Sequence, residues 1–302
     1  MQLSAQGSFV ALATPFDRKG RIDWKTLEKL VSWHIANGTD GLVCCGATGE
    51  GMTISETEKK KIAAFCVRAA GNRIPIIGNS GTADTLRSVR LTEEMLKLGV
   101  SGTLVVTPYY NKPTQRGCIL HFQEIAKVGL PVIVYNNPGR VCVRLEAETV
   151  AKLGEIPGIA GYKDSTADLA LIRKIRQLSS IPILSGDDDH TYATLKEGGR
   201  GAISVIGNLF PKEWKTMISL ALQGKWDESK RISDQFLPLC KALFLEPNPQ
   251  CLKFAMSWMG LCKEFLRLPL VIPLDDTQRR IKRELLALMM PQFRSRFSTV
   301  SA

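Results

Sequence analysis

GTLVVTPYYNKPTQRGCILHFQEIAKVGLPVIVYN, residues 102–136, reads as one strand–helix–strand unit. GTLVVTPYY and PVIVYN are apolar, rich in β-branched residues and without alternation, as strands covered on both faces are. Between them TQRGCILHFQEIAKVG opens on Thr114 and closes on Gly129, residue types that cap a helix at its two ends. A helix that returns the chain to a second strand running the same way predicts a parallel pair.

The unit recurs in both directions. FVALATPF (9–16), GLVCCG (41–46) and IPIIGN (74–79) precede it, and GIAGYKD (158–164), IPILSGD (181–187) and GAISVIGN (201–208) follow. WKTLEKLVSWHIANG, SETEKKKIAAFCVRAAG and TLRSVRLTEEMLKLG separate the early runs; EAETVAKLG, LALIRKIRQL and TYATLKEGG separate the later ones. Eight strand–helix repeats predict the α/β class and a closed (β/α)8 TIM barrel. The competing open, doubly wound sheet favours a glycine fingerprint after its first strand, and ATPFDRKGR is not one. After residue 208 the strand signal stops. PKEWKTMISLALQG supplies the eighth barrel helix, and KWDESKRISDQFLPLCKALF, PQCLKFAMSWMGLC and DDTQRRIKRELLALMM form a C-terminal helical appendage. The expected division is a barrel over 1–224 and a helical domain over 225–302.

Bulk composition narrows the function. A chain of 302 residues, 44% hydrophobic, can bury a large core. MQLSAQGSFVALATPF has no basic residue before Arg18, unlike a signal peptide. The most apolar runs, LVVTPYY and LPLVIPL, are short and broken by proline, so no membrane span is expected. The eight cysteines are scattered without a C-x-x-C pair and read as reduced thiols of a cytoplasmic protein. The formal charge of +11 is partly carried by QRRIKRELL and RSRF. With no aromatic interleaving or nucleic-acid motif, these read as a solvated helix face rather than a nucleic-acid site.

In such barrels chemistry sits where the strands end. GATGE (46–50), TPYYN (107–111), YNNPGR (135–140), Lys163 with Asp164, SGDDD (185–189) and IGN (206–208) occupy those ends. GIAGYKDST (158–166) runs from small and apolar residues straight into Lys163. Two readings stand: the side chain snorkels to solvent and pairs with Asp164, or it points into the barrel. An inward ammonium loses hydration, which favours the neutral amine, and a neutral amine attacks a carbonyl to give an imine. Tyr135 ends the strand expected beside Lys163, where a phenol can shuttle protons. Tyr109 and Tyr110 suit either a pocket rim or a subunit interface. Free amides in the GATGE turn, with the Thr48 hydroxyl, can hold a carboxylate, and Arg140 can hold a second. SGDDDH (185–190) could bind a hard cation, but acids before TYATLKEGG more simply cap that helix. His34 and His121 lie inside helical segments, away from the strand ends, so no metal is expected.

GATGE, TPYYNKPTQRG, YNNPGR, GYKDST, SGDD and EPNPQCLKFAMSWMGL with RLPL together resemble the dihydrodipicolinate synthase family of class I pyruvate-dependent aldolases, in order and spacing, over nearly the whole chain. The EPNP and RLPL segments favour that branch over the N-acetylneuraminate lyase and 2-keto-3-deoxygluconate aldolase branches. The resemblance implies that Lys163 forms the imine with pyruvate, that Tyr135 shuttles protons, and that Tyr110 reaches into a neighbouring subunit of a homo-oligomer, commonly a dimer of dimers. It implies that Ala47 (through its backbone) and Thr48 hold the pyruvate carboxylate, that Arg140 receives the carboxylate of aspartate semialdehyde, and that Gly186 and Ile203 line the pyruvate pocket. The implied reaction is aldol addition of the pyruvate enamine to that aldehyde, opening lysine and diaminopimelate biosynthesis, with no metal or organic cofactor. Two positions depart from the family. Ala47 stands where threonine or serine usually bridges the two tyrosines in a proton relay, which leaves impaired proton traffic, or a barrel kept only for binding, as expectations. Glu56, Ala83 and Arg87 stand where regulated members bind lysine, and an arginine there should repel the inhibitor's ammonium.

Overall fold

The computed structural model describes residues 3–289. Eight parallel strands, β1 (Gly7–Ala11), β2 (Gly41–Val43), β3 (Ile76–Asn79), β4 (Gly102–Val106), β5 (Val132–Asn136), β6 (Ile159–Asp164), β7 (Ile183–Ser185) and β8 (Gly201–Ser204), pair in sequence order, and β8 closes on β1. The helices are α1 (Trp24–Ala36), α2 (Glu56–Ala70), α3 (Thr85–Lys97), α4 (Gln115–Ala126), α5 (Pro138–Val141), α6 (Ala147–Gly154), α7 (Leu169–Leu178), α8 (Thr191–Lys196), α9 (Pro211–Leu222), α10 (Trp226–Ala242), α11 (Gln250–Trp258) and α12 (Asp275–Met289). The fold is the (β/α)8 barrel with C-terminal helices that the repeats predict.

The strands are shorter than the apolar runs that announce them. Of FVALATPF only the first residues are strand; Leu12, Ala13 and Phe16 stay buried in the loop above. Burial, not hydrogen bonding, keeps a run apolar, so an apolar loop reads as strand. α5 is a single turn inside YNNPGR, with Pro138 at its start; Pro suits that position because its missing N–H has no partner there anyway. α2 starts as expected at Ser55, whose hydroxyl accepts from Glu58 N at 3.2 Å while Glu58 Oε2 accepts from Ser55 N at 3.0 Å. Such a capping box stabilises a helix start by about 1 kcal/mol.

Inside the barrel, Phe9, Val43, Ile77, Leu104, Ile133, Leu184 and Ile203 fill the lower layers. Gly41 makes room for Phe9: a Cβ there would lie 2.6 Å from the ring. The barrel is therefore a packed plug with chemistry only at its upper rim. The appendage shares the outer core. Phe236 of α10 packs edge-on against Phe210 and Trp214, ring centroids 5.2 and 6.3 Å apart. α12 sets Ile281 and Leu285 into the same cluster. Its basic residues face outward in ion pairs such as Arg280–Glu284 at 2.8 Å, the solvated face expected of QRRIKRELL. RSRF, and the last part of the 225–302 domain, lie outside the described residues. Among the described residues no helix is long and apolar enough to cross a membrane.

Candidate active site

Strand alternation decides where Lys163 points. Tyr162 and Asp164 face the helical layer, where the Tyr162 hydroxyl donates to Asp164 Oδ1 at 3.0 Å. Lys163, between them, faces the barrel interior and is only 6% exposed. The solvent-directed pair with Asp164 is not formed; Asp164 accepts from Tyr162 and from Thr166 instead. Tyr135 is the register partner of Lys163 across β5 and β6. Lys163 Nζ lies 4.4 Å from its ring centroid, and Tyr135 Oη accepts from Asn137 Nδ2 at 3.2 Å. The neighbour relation inferred from strand order is thus a direct contact.

Gly186 explains how the amine fits. A Cβ at this position would come 2.8 Å from Lys163 Cε and 2.8 Å from the Asp164 carbonyl. The glycine leaves space for the lysine stem, so its place in the cavity wall follows from packing. Asp187, beside it, also lines the cavity. Burial pushes the Asp187 carboxyl up, and the nearby Lys163 charge opposes that shift.

The turn after β2 faces Lys163 across the cavity. Among the described residues neither the Ala47 nor the Thr48 amide donates a hydrogen bond, so both are free for an anion. Thr48 is buried and its Oγ1 accepts from Asn248 Nδ2 at 3.0 Å. On the far rim α5 carries Arg140, whose Nη2 donates to the Asn248 carbonyl at 2.9 Å. Asn136 fixes that loop: its Nδ2 donates to Val143 O at 2.8 Å and its Oδ1 accepts from Leu145 N at 3.0 Å.

Of the residues expected from the sequence, Ala47, Thr48, Tyr135, Arg140, Lys163 and Gly186 line one cavity. Ile203 lies lower, in the interior packing layer, and Val205, just past the end of β8, lines the cavity there. Tyr110 stands away from the cavity, 94% exposed on backbone with φ +73°. Asn137, Asp187, Phe244 and Asn248 line the site without having been singled out. Asn248 was visible only as part of EPNP.

The C-terminal helices reach the site through buried charge. Lys253 of α11 is fully buried, its Nζ 2.7 Å from Glu50 Oε1, 3.0 Å from the Phe265 carbonyl and 4.2 Å from the Phe16 ring centroid. Burial pushes the Lys253 amine below its ordinary value, and the Glu50 charge opposes this. Glu50 ends GATGE in a left-handed conformation, φ +56°, and its Oε2 accepts from Arg267 N at 2.9 Å. Arg267 then forks onto Glu58 at 2.6 and 2.9 Å, which holds the Glu58 carboxyl down at about 2. The GATGE turn is therefore clamped by two residues more than two hundred positions away.

The SGDDDH segment departs from its expected role. Asp188–His190 is a 3-10 turn without a side-chain cap, and α8 has none either. Asp188 reaches instead to the turn after β8, its Oδ2 accepting from Val205 N at 3.0 Å and Ile206 N at 2.7 Å. Full burial pushes its carboxyl up to about 7. Among the described residues no three His, Cys, Asp or Glu side chains gather as a metal site. His34 and His121 are helix-packed, as their positions suggested, and burial lowers them to about 3 and about 4.

Comparison with known proteins bears on the family and the fold. The model of the dihydrodipicolinate synthetase family matches residues 4–288. The 4-hydroxy-tetrahydrodipicolinate synthase of Thermodesulfovibrio yellowstonii is 43% identical over 268 residues, covering 88% of this chain and 92% of that protein. The crystal structure of dihydrodipicolinate synthase from Aquifex aeolicus superposes with a TM-score of 0.90 at 39% identity, over 93% of this chain and 97% of that one. The chloride-inhibited dihydrodipicolinate synthase of Acinetobacter baumannii, solved with pyruvate, gives a TM-score of 0.92 at 38% identity, over 94% and 99% of the two chains. With a family match that runs from the first strand to the last helix, this chain belongs to the dihydrodipicolinate synthetase family.

Proposed function

We propose that this chain is a class I aldolase-type lyase. It condenses pyruvate with L-aspartate 4-semialdehyde to give 4-hydroxy-tetrahydrodipicolinate, opening lysine and diaminopimelate biosynthesis. The observation that carries this reading is the Lys163 amine, enclosed in a barrel mouth between two free amides and one guanidinium.

The Lys163 amine adds to the pyruvate ketone carbon, and water leaves to give a protonated imine. The Tyr135 phenol, in contact with the amine, carries protons to and from the departing oxygen. The positive imine nitrogen draws electrons from the methyl carbon, which loses a proton and becomes the enamine nucleophile. The Ala47 and Thr48 amides and the Thr48 hydroxyl hold the pyruvate carboxylate, and Gly186 gives the lysine stem its path. The enamine carbon attacks the aldehyde carbon of the second substrate, whose carboxylate Arg140 receives. The substrate's amino group then displaces Lys163 and closes the ring. Ala47 has no hydroxyl to relay protons, which leaves the carbon–carbon step intact and slows proton traffic. Ile203 supports the cavity floor from below.

The barrel over 1–224 supplies every reacting group, and the helices from 225 onward clamp the turn and the arginine; the chain turns between them at Gly224, φ +78°. A large aromatic left exposed on left-handed backbone supports a second copy covering Tyr110. We assign a homotetramer, a dimer of dimers, in which Tyr110 enters the neighbour's cavity; a monomer in sedimentation velocity at working concentration contradicts that assignment. All eight cysteines are free thiols, which supports a cytoplasmic location. The activity is tested by assaying pyruvate with aspartate semialdehyde beside glyceraldehyde and N-acetylmannosamine. Turnover with aspartate semialdehyde should dominate; preference for either sugar-type aldehyde assigns the chain to a sister branch.

A further inference from the structure

Asn248 touches both anion-binding groups of the cavity. Its Nδ2 donates to Thr48 Oγ1 at 3.0 Å, and its backbone carbonyl accepts from Arg140 Nη2 at 2.9 Å. The residue is buried and lines the cavity, and its Oδ1 is buried without a hydrogen-bond partner. The reverse orientation of the amide would leave both of its N–H groups stranded in that place, so the nitrogen faces Thr48.

That orientation sets the polarity of the Thr48 hydroxyl. A hydroxyl has one proton to donate and lone pairs to accept with. Because Thr48 Oγ1 already accepts from Asn248, its proton is left free for an anion in the cavity. The Arg140 contact is made by the backbone and does not depend on the side chain at 248.

We propose that Asn248 is a positioning residue that turns the Thr48 hydroxyl into a dedicated donor for the pyruvate carboxylate; this rests on the function proposed above. The side chain acts on the keto-acid substrate alone, while the backbone of the same residue holds the arm for the second substrate.

The test is the pyruvate concentration that half-saturates borohydride trapping on Lys163, read by intact mass, together with the two Michaelis constants. Asn248→Ala should raise the half-saturating pyruvate concentration about tenfold, equivalent to about 1.4 kcal/mol, and change the KM for the aldehyde less than twofold. Asn248→Asp, nearly isosteric, should raise it further, because a carboxylate claims the Thr48 proton and repels the substrate. Placed on a Thr48→Ala background, Asn248→Ala should add nothing. Unchanged trapping in both variants at 248, or a full additive effect on the Thr48→Ala background, overturns the inference. A parent enzyme that traps no pyruvate overturns instead the function on which it rests.

Discussion

Replacing Lys253 with methionine tests whether the C-terminal helices hold the GATGE turn. The side chain is fully buried, and the change removes the ammonium 2.7 Å from Glu50 Oε1 while keeping most of the apolar volume. Glu50 is left as a buried carboxylate with the Arg267 N–H as its remaining donor, and the Phe265 carbonyl loses its partner. Stranding one half of a buried ion pair costs about 3–5 kcal/mol. Unfolding entropy is about 2.1 cal/mol/K per residue, which for 302 residues comes to about 0.6 kcal/mol/K. The melting temperature should therefore fall by about 5–8 °C in differential scanning calorimetry. The double variant Glu50→Gln with Lys253→Met removes both charges and should regain more than half of that loss, since most of the cost is the stranded carboxylate. Because Glu50 closes the GATGE turn, the single variant should also bind pyruvate more weakly. A melting temperature within 2 °C of the parent (about 1 kcal/mol on the same conversion), or a double variant no better than the single one, refutes the clamp.

Three further outcomes follow from particular residues. Ala47→Thr restores a hydroxyl to the cavity wall and should raise kcat; equal or lower turnover counts against a proton-relay defect. Arg87 is paired with Glu56, Nε to Oε1 at 2.6 Å, so the carboxylate's charge is already answered and the guanidinium repels an amino acid with a cationic side chain. Lysine should inhibit weakly or not at all, and a clear inhibition curve at sub-millimolar lysine would falsify this. Asp188 has a folded pKa of about 7, raised by burial above the unfolded value. Between about pH 4 and pH 7 the folded chain holds a proton that the unfolded chain has released, so this group's contribution to stability falls as pH rises through that window. Asp188→Asn keeps an acceptor for the Val205 and Ile206 amides and removes the titration. Its melting temperature should drop less than the parent's between pH 5 and pH 8; parallel curves contradict the assignment.

Much of this was legible in the sequence because parallel strands covered on both faces stay apolar throughout, and eight such runs separated by capped helices leave one closed arrangement. The Lys163–Tyr135 contact was legible for the same reason: strands that pair in order put the ends of consecutive runs side by side. The clamp was not. Glu50 with Lys253, and Thr48 with Asn248, join segments about two hundred residues apart, and no local period or spacing records such a pairing. EPNP and RLPL announced a family without revealing that they hold the GATGE turn. SGDDDH misled because an acid before a helix serves a cap on that helix or on its neighbour equally well, and Asp188 serves the turn after β8. Tyr110 shows a further limit: one chain gives its exposure and strained backbone, while its partner is a property of the assembly.

The most direct measurement of the central claim is mass spectrometry of the protein after borohydride reduction with pyruvate, followed by peptide mapping. The account predicts a single pyruvate-derived adduct on Lys163, lost in Lys163→Ala. An unmodified protein, or an adduct on a different lysine with Lys163 untouched, contradicts it.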